Sequence, residues 1–443
     1  MRNNFLLITS IFFILLSACS QKNKNLFTES DRATIKEVRT FIKSNWDLTI
    51  RYHPKDSATL IGLPKPYTVP CIAETFQEMY YWDTYWTNKG LIIDGKIEQA
   101  RNNCDNIKYL IQKYGKMLNG NRTWFLNRSQ PPLFCMMVMD VFKATSDTVW
   151  LKKIVPAIEK EYFFWTTERI TSNGLNRQFN SATNEEKLES YYNVGQRLGP
   201  NYDTIIIKTL KEKLEIGSHF ISECETWDYN PRFGNRCENF NPLDLNCYLY
   251  IYEKNLAYYH SVFNSQDTVK WLELAEKRKN LMNQFLFNPD DGLFYDYDFV
   301  NNRHSKIISA AIFHVLWAKI ANKEQAKTIV NNLAKLEFEF GISTCAPGER
   351  YYVYQWDYPN GWPPLQQIAV EGLRNYGYNS DADRIAMKYF KAMIETYKTT
   401  NSLWEKYNVS DGSKDAINEY TMPEMMGWTA GVFNYFDEML KEK

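Results

Sequence analysis

The feature that most constrains this chain is the recurrence of apolar side chains at three- and four-residue steps. Residues 31–46 show it with Ile35, Val38 and Ile42, and Asp31 is a candidate N-terminal cap for a helix there. The same period predicts further helices over residues 267–287, 323–336 and 381–397. Alternating stretches that would indicate strands with hairpin turns are scarce. The chain is therefore predicted to be all-α.

Domain boundaries are the next question for a chain of 443 residues, which is long enough for two or three average domains. No low-complexity linker or shift in composition follows residue 30. We therefore expect one large domain over residues 31–443, with a polar tether over residues 20–30 and a signal peptide over residues 1–19.

The N-terminal residues have the layout of a secretory signal. One early arginine precedes an apolar run from Phe5 to Leu16, and the small residues of "LSAC" lead to Cys19. The run is short for a membrane span, and "LSAC" is similar to a bacterial lipobox, in which the cysteine carries the lipid. We expect a protein anchored by lipid at Cys19 on the periplasmic side of the cell envelope, although plain signal cleavage is the alternative.

Eight cysteines occur in the chain, and seven of them follow Cys19. An odd number leaves at least one thiol unpaired within the chain, and no CxxC motif is present. A chain of this length buries a core without disulfides, so buried free thiols are expected. A bridge among Cys224, Cys237 and Cys247 stays open because these residues are close in sequence.

Charge excludes one class of partner. Lys+Arg and Asp+Glu both total 52, so no net field draws the chain to nucleic acid or to anionic lipid. We expect contact with a membrane through the lipid alone, and we take a monomer as the default state.

The loops between the predicted helices combine aromatic rings with carboxylates, arginines and amides. The most distinctive is "QWDYPNGWPP" at 355–364, where three rings surround one carboxylate beside a Pro-Asn-Gly turn. Similar stretches are "ETFQEMYYWDTYW" (74–86), "NGNRTWFLNRSQPP" (119–132), "CETWDYNPRF" (224–233) and "LWEKYNV" (403–409). Loops on a rigid scaffold concentrate binding residues, and flat rings among hydrogen-bonding groups are typical of a sugar site. We expect Trp356 and Trp362 to flank the sugar, with Trp227 and Asp357 at the same site.

Carboxyl groups are the remaining candidates for catalysis once metal, phosphate-binding and serine-hydrolase sites are excluded. Five scattered histidines without HExxH make a catalytic zinc improbable, and no phosphate-binding loop or GxSxG elbow occurs. We expect no metal and no other cofactor. Glycoside hydrolysis needs one protonated and one ionised carboxyl group. The candidates in the aromatic loops are Asp83, Asp228, Asp357, Glu405 and Glu419, and the residues alone do not select the pair.

A resemblance to a known family indicates which of these carboxyl groups form the catalytic pair. From about residue 65 to residue 436 the chain resembles the trehalases, glycoside hydrolase family 37. "FQEMYYWDTY" (76–85) resembles part of one family signature, PGGRFxExYxWDxY, and "QWDYPNGWPP" matches the other, QWDxPxGWxP. Further collinear matches are "NGNRTWFLNRSQPP", "NPLDLNCYLY" (241–250), "DDGLFYDYD" (290–298), "EKYNV" (405–409) and "EYTMPEMMGWTAGV" (419–432).

The resemblance implies an (α/α)6 toroidal barrel and hydrolysis by single displacement with inversion. It implies Asp228 as general acid, Glu405 as general base and Glu419 as a further carboxylate at the substrate. The sugar-binding positions that it implies are Trp82, Asp83, Asn119, Arg128, Ser129, Gln130 and, more loosely, Arg197. The expected substrate is a small α-linked disaccharide, most simply α,α-trehalose, which yields two glucoses.

Three departures from the family pattern affect specificity. "PCIAETF" replaces PGGRF, so that Thr75 occupies the position of a substrate-binding arginine. Thr226 replaces a glycine two residues before the acid, and "SDGSKDAIN" (410–418) replaces a glycine-rich run. Two alternatives therefore stay open: a related inverting α-glycosidase with another small glucoside as substrate, and a lipoprotein that binds sugar without cleaving it.

Overall fold

The computed structural model describes residues 27–72, 75–198 and 208–441. Cys19, the predicted signal peptide and most of the predicted tether lie outside these residues. Across the described ranges, no helix has both the length and the hydropathy that crossing a membrane requires.

Fourteen α-helices, counted over the described residues, fall into three groups. Six are inner helices: α2 (Tyr81–Ile93), α4 (Phe134–Thr145), α8 (Leu243–Val262), α10 (Ile312–Trp317), α12 (Pro363–Asn375) and α14 (Gly427–Lys441). Six are outer helices: α1 (Glu29–Asn45), α3 (Ile97–Tyr114), α5 (Thr148–Glu168), α9 (Asp267–Phe285), α11 (Lys323–Asn331) and α13 (Asn379–Thr400). Two more, α6 (Asn184–Arg197) and α7 (Leu210–Glu223), pack on each other between α5 and α8 in the chain.

The inner helices form a closed ring. Each contacts the next in the order α2, α4, α8, α10, α12, α14, and α14 returns to α2. The closing pair, α14 and α2, approaches closely because Gly90 of α2 faces Gly431 of α14. A Cβ added to Gly431 would lie 1.9 Å from the carbonyl oxygen of Trp86. Each outer helix precedes an inner one, so the chain forms six helical hairpins. The prediction of an (α/α)6 barrel is confirmed.

The strands are short and belong to the loops. Each has two residues: β1 (Ile50–Arg51), β2 (Tyr67–Thr68), β3 (Phe240–Asn241), β4 (Phe287–Asn288), β5 (Leu293–Phe294), β6 (Tyr297–Asp298), β7 (Arg303–His304), β8 (Glu337–Phe338), β9 (Gly341–Ile342), β10 (Asn360–Gly361) and β11 (Tyr407–Asn408). The pairs β1–β2, β4–β5, β8–β9 and β10–β11, and the sheet β3–β6–β7, are all antiparallel. Short single-turn 3₁₀ helices occupy Trp46–Thr49, Thr123–Phe125, Pro231–Phe233, Cys237–Asn239 and Leu333–Lys335.

The helices predicted from periodicity all form, with changes at their ends. The helix predicted at 323–336 ends at Asn331, and Leu333–Lys335 continues as a 3₁₀ turn. The predicted cap Asp31 is wrong, since Thr28 caps α1 and Asp31 returns the bond as the third residue of a capping box. A local pattern gives the apolar face, whereas the cap depends on which side chain reaches the free N–H groups.

The seven cysteines after Cys19 are all described and all free, as expected. Six are buried and Cys224 is half-buried. The bridge left open among Cys224, Cys237 and Cys247 does not form.

One buried arginine ties the loops to the barrel. Arg232, 1% exposed, binds Asp244 at the start of α8 through Nη1 and Nη2 at 2.9 and 2.8 Å. Its Nε and Nη2 bind Asp296, between β5 and β6, at 2.9 and 2.7 Å. Asp296 also accepts the backbone N–H of Leu243 at 2.8 Å. Arg232 therefore joins the loop at 224–233 to an inner helix and to a neighbouring loop.

Replacing Arg232 tests how much its ion pairs contribute to the stability of the fold. In Arg232→Met two buried carboxylates lose their cation, so the free energy of unfolding should fall by roughly 3–5 kcal/mol. Arg303→Met is a matched control, because Arg303 is exposed and lies 3.7 Å from Asp298; its change should stay below about 1 kcal/mol. Urea denaturation measures both, and equal small losses would contradict a structural role for Arg232.

Candidate active site

A cavity of about 700 Å³ opens at the end of the barrel where inner helices begin. Trp82 and Asp83 lie in the first turn of α2, Trp362 precedes α12, and Trp428 lies in the first turn of α14. Ten of the predicted site residues line it: Trp82, Asp83, Asn119, Arg128, Gln130, Arg197, Asp228, Trp356, Trp362 and Glu405. The barrel thus brings together loops that are more than 300 residues apart in the chain.

The loop that carries Asp228 begins where α7 ends and turns sharply. Tyr229 has a φ of +46°, the left-handed region that a bulky residue rarely occupies. Asn230 holds the turn, since its backbone N–H donates to Glu223 Oε1 at 2.8 Å and its side-chain amide donates to the Trp227 carbonyl at 2.7 Å. The strained turn directs Asp228 into the cavity.

Burial raises the pKa of Asp228 to about 6. Arg128 and Arg197 oppose the rise because they favour the charged carboxylate, while the charge of Glu405 adds to it. A carboxylic acid in this environment is a proton donor at mildly acidic to neutral pH.

The backbone at Glu405 is fixed by a strand pair and a tryptophan. β11 begins two residues after Glu405 and pairs with β10 of the "QWDYPNGWPP" loop. The Trp428 indole N–H donates to the Glu405 carbonyl at 2.8 Å. The pairing also corrects the interpretation of the Pro-Asn-Gly turn, because Asn360 and Gly361 form β10. Glycine is required there, since a Cβ on Gly361 would lie 2.4 Å from Val409.

The carboxylate of Glu405 is bonded at both oxygens. Lys406 Nζ donates to Oε2 and the Tyr420 hydroxyl donates to Oε1, each at 2.7 Å. Two short hydrogen bonds, one of them from a cation, hold the carboxylate in place. Glu405, which is 2% exposed, therefore differs in environment from Asp228.

Two further carboxyl groups lie close by: Asp83 lines the cavity, and Glu419 lies outside the lining. Burial raises the pKa of Asp83 well above its usual range, with repulsion from Glu405 and then Asp228 adding to it. Burial raises the pKa of Glu419 to about 8, and Asp228 adds to the rise, while Arg197 and Lys406 oppose it. Neither Glu419 oxygen has a hydrogen-bond partner among the described residues. Arg197 Nη1 lies 4.0 Å from Glu419 Oε2, so this pair is loose.

Two amides and an arginine complete the polar wall. The Asn119 amide donates to the Cys224 carbonyl at 3.0 Å, and Gln130 Oε1 accepts the Trp82 backbone N–H at 3.1 Å. Arg128 Nη1 donates to Asn127 Oδ1 at 2.9 Å, and its buried Nε has no partner within the described chain.

No sugar can lie between the rings of Trp356 and Trp362, but both residues line the cavity, and their contact with the sugar stays a prediction. Their rings are stacked with centroids 3.6 Å apart and planes 1° apart, which leaves no space between them. They are 4% and 1% exposed and form part of the cavity lining. Trp227 lies behind them, stacked on Trp356 at 5.8 Å and outside the lining. All three rings belong to the hydrophobic core.

Two other residues predicted to contact the sugar, Asp357 and Ser129, do not line the cavity. Arg350 Nε and Nη2 donate to the Asp357 carboxylate at 2.6 and 3.2 Å. Ser129 is fully buried, with its hydroxyl donating to the Gln130 carbonyl at 3.4 Å. Both residues support the loops, because internal partners satisfy their polar groups.

Sequence reasoning missed two groups of residues. Lys406 and Tyr420 each stand beside a residue that was selected, and nothing local showed that they bond Glu405. On α6, Glu186, Glu189, Ser190 and Asn193 line the cavity with Arg197. Their helical spacing from Arg197 could have revealed that shared face.

Two of the three departures from the family pattern reach the cavity, and residues 410–418 do not. Thr75 and Thr226 both line it. Arg122, in the matched stretch at 119–132, lies outside the lining, and its Nε donates to Glu78 Oε1 at 2.6 Å, so it supports the loop structure.

Comparisons with known proteins agree with this geometry. A family model described as Trehalase matches residues 17–441. The trehalase of Tenebrio molitor is 29% identical over 93% of this chain and 79% of its own length. The periplasmic trehalase of Xanthomonas axonopodis pv. citri is 31% identical over 89% of this chain and 72% of its own length.

A solved structure gives the same result. Neutral trehalase Nth1 from Saccharomyces cerevisiae superposes with a TM-score of 0.73 at 29% identity, covering 90% of this chain and 79% of the other. Together with the (α/α)6 ring and its carboxylate-lined cavity, the match over nearly the whole chain establishes that this protein belongs to the trehalase family of glycoside hydrolases, family 37.

Proposed function

We propose that this glycoside hydrolase cleaves α,α-trehalose to two glucoses with inversion at one anomeric carbon. The observation that carries the proposal is the family match over residues 17–441, joined to the geometry of the cavity. Asp228 and Glu405, which the resemblance implied as acid and base, line one cavity in contrasting environments. A pair of carboxyl groups whose environments separate their protonation states is what acid and base catalysis needs.

In the proposed reaction Asp228 is the general acid. Its proton passes to the glycosidic oxygen as the bond between that oxygen and the anomeric carbon breaks. Glu405 is the general base and accepts a proton from a water whose oxygen attacks the same carbon from the opposite face. The cycle leaves Asp228 ionised and Glu405 protonated, and exchange with solvent restores both.

The remaining lining residues are proposed to hold the sugars. Arg128, Arg197, Asn119 and Gln130 offer donors to hydroxyl groups, and Trp82 offers a ring face to the C–H groups of a glucose. Asp83 offers a carboxyl group within the same space, and Glu419 lies outside the lining, beside Arg197. Protonation of these two acids would limit the negative charge around an ionised Glu405.

The alternative substrate is another small α-glucoside. Thr75 lines the cavity where the family pattern has an arginine, which favours a changed contact to one of the two sugars. Purified protein should be assayed for glucose release from trehalose and from other α-linked glucose disaccharides. A higher kcat/KM for trehalose supports the proposal, and turnover confined to another disaccharide would favour the alternative.

Removal of either catalytic carboxyl group should abolish turnover. Asp228→Asn and Glu405→Gln should each lower kcat by at least about 100-fold, because each removes one proton transfer from the transition state. Asp267→Asn, at the exposed start of α9, is the matched control and should retain full activity. Steady-state kinetics with melting curves separate catalytic loss from unfolding, and an active Glu405→Gln would contradict the assignment. Trehalose binding without turnover in the wild type would instead indicate the sugar-binding alternative.

The stereochemistry of the products tests inversion directly. Inverting cleavage of α,α-trehalose gives one β-glucose from the attacked carbon and one α-glucose from the leaving sugar. Proton NMR at early times should therefore show both anomers in equal amounts, and in ¹⁸O-water only the β-anomer should carry the label. Initial production of α-glucose alone would indicate retention.

We also infer an envelope location with a lipid at Cys19. Relatives named periplasmic trehalases support a location outside the cytoplasm. The lipid anchor rests on the lipobox-like "LSAC", and it would supply the membrane affinity of the protein.

Cys19→Ser should move the protein from the membrane fraction to the soluble fraction, because the acylated thiol is lost. Lys24→Ala in the predicted tether is the control and should leave the protein in the membrane fraction. Fractionation with mass spectrometry of the N-terminal peptide checks both, and a soluble wild type without lipid would refute the anchor.

A further inference from the structure

Lys406 is a buried cation beside the residue proposed as general base. Its side chain is 0% exposed, and the ion pair it makes within the described chain is with Glu405 Oε2 at 2.7 Å. Burying an ammonium is costly unless a partner compensates for the lost water. The position of Lys406 therefore depends on an ionised Glu405, and the reverse also holds.

Two aromatic rings hold the ammonium in place. Lys406 Nζ lies 4.9 Å from the centroid of the Trp362 ring and 5.0 Å from that of Tyr420. The rings exclude water and attract the cation, which strengthens its interaction with the carboxylate. The backbone adds rigidity, since the next residue, Tyr407, begins β11.

Lys406 does not line the cavity, whereas Glu405 and Tyr420 do. A sugar in the cavity therefore touches the carboxylate and the tyrosine but leaves the ammonium behind them. This separates Lys406 from Arg128 and Arg197, which reach the cavity themselves.

The surroundings of Glu405 explain why a dedicated cation is needed. Asp228 of the 224–233 loop and Asp83 of α2 are carboxyl groups on neighbouring elements that interact with the charge of Glu405. Glu419, in the loop before α14, interacts instead with Asp228, Arg197 and Lys406. The Cys71 thiol is a further neighbour, and burial raises its pKa to about 12, so it stays uncharged. Each carboxylate that ionises disfavours the charge on Glu405.

We propose that Lys406 and Tyr420 are positioning residues. They fix the Glu405 carboxylate and keep it ionised, so that it can accept a proton from the water that attacks the anomeric carbon. The inference rests on the proposed function of Glu405 as general base. Because one bond occupies each oxygen, the carboxylate is held in one orientation at the cavity, which Glu405 lines. Neither residue enters the bond changes, and the ammonium keeps its protons throughout.

Lys406→Met tests the inference, because it removes the charge and keeps an unbranched chain under the rings. The acidic limb of the kcat/KM profile reports ionisation of the base, and it should move up by about one pH unit or more. At neutral pH kcat should fall about tenfold or more while KM changes by less than about threefold, since Lys406 does not touch the sugar.

The matched control is Lys391→Met. Lys391 also pairs with a glutamate, Glu339 at 3.1 Å, and lies 4.6 Å from the Phe340 ring centroid, but it is half exposed on α13. Its pH profile should equal that of the wild type. A Lys406→Met protein that melts earlier but keeps the wild-type acidic limb would show a purely structural role and overturn the inference.

Tyr420→Phe gives a second measurement if Lys406→Met fails to fold. It removes one bond to Oε1 and keeps the ring, so the acidic limb should move in the same direction by a smaller amount. An unchanged limb would overturn the inference.

A readout without turnover separates this inference from the proposed function. In protein labelled with ¹³C at glutamate carboxyl carbons, the Glu405 signal is the one that Glu405→Gln removes. It should take up its proton at higher pH in Lys406→Met than in the wild type, even if trehalose proves not to be the substrate. An unshifted titration in a folded variant would refute the role of Lys406 while leaving the hydrolase function in place.

Discussion

A single stacked column joins the supports of the two candidate catalytic residues. The Arg232 guanidinium lies 4.3 Å from the Trp227 ring centroid, Trp227 stacks on Trp356, and Trp356 stacks on Trp362. Lys406 covers the last ring. Cation–π and ring-stacking contacts in a dry interior are short and directional, so the column sets the distance between the two loops. The aromatic residues act here mainly as a spacer.

Each end of the column is fixed to the barrel by a different kind of interaction. At one end Arg232 binds Asp244 and Asp296, which ties the loop of Asp228 to α8 and to the β5–β6 loop. At the other end β10 and β11 pair directly after Lys406. A buried ion network and a backbone ladder both resist displacement, which suits a site that must hold two carboxyl groups in a defined geometry.

The same arrangement gives the two candidate catalytic residues different surroundings. Asp228 has burial as the main influence on its pKa, with arginines at the cavity as a partial counterweight. Glu405 instead has an ammonium and a phenol in direct contact. The difference arises from which neighbours each loop meets, because both residues stand in aromatic loops of similar composition. Such contrasting surroundings are what the proposed roles of acid and base require of two carboxyl groups.

The sequence by itself determined the helices and identified the loops of the site, because apolar period and motif order are local properties of the chain. Residues such as Asp228, Arg128 and Gln130 were found in this way, and they do line one cavity. Tertiary structure decided which side chains face that cavity. Asp357 meets Arg350, Trp356 stacks on Trp362, and Lys406 bonds Glu405. These contacts depend on which partners folding brings together. Where water is excluded, a buried polar group needs a hydrogen-bond or ionic partner, so the neighbours that folding supplies determine its orientation.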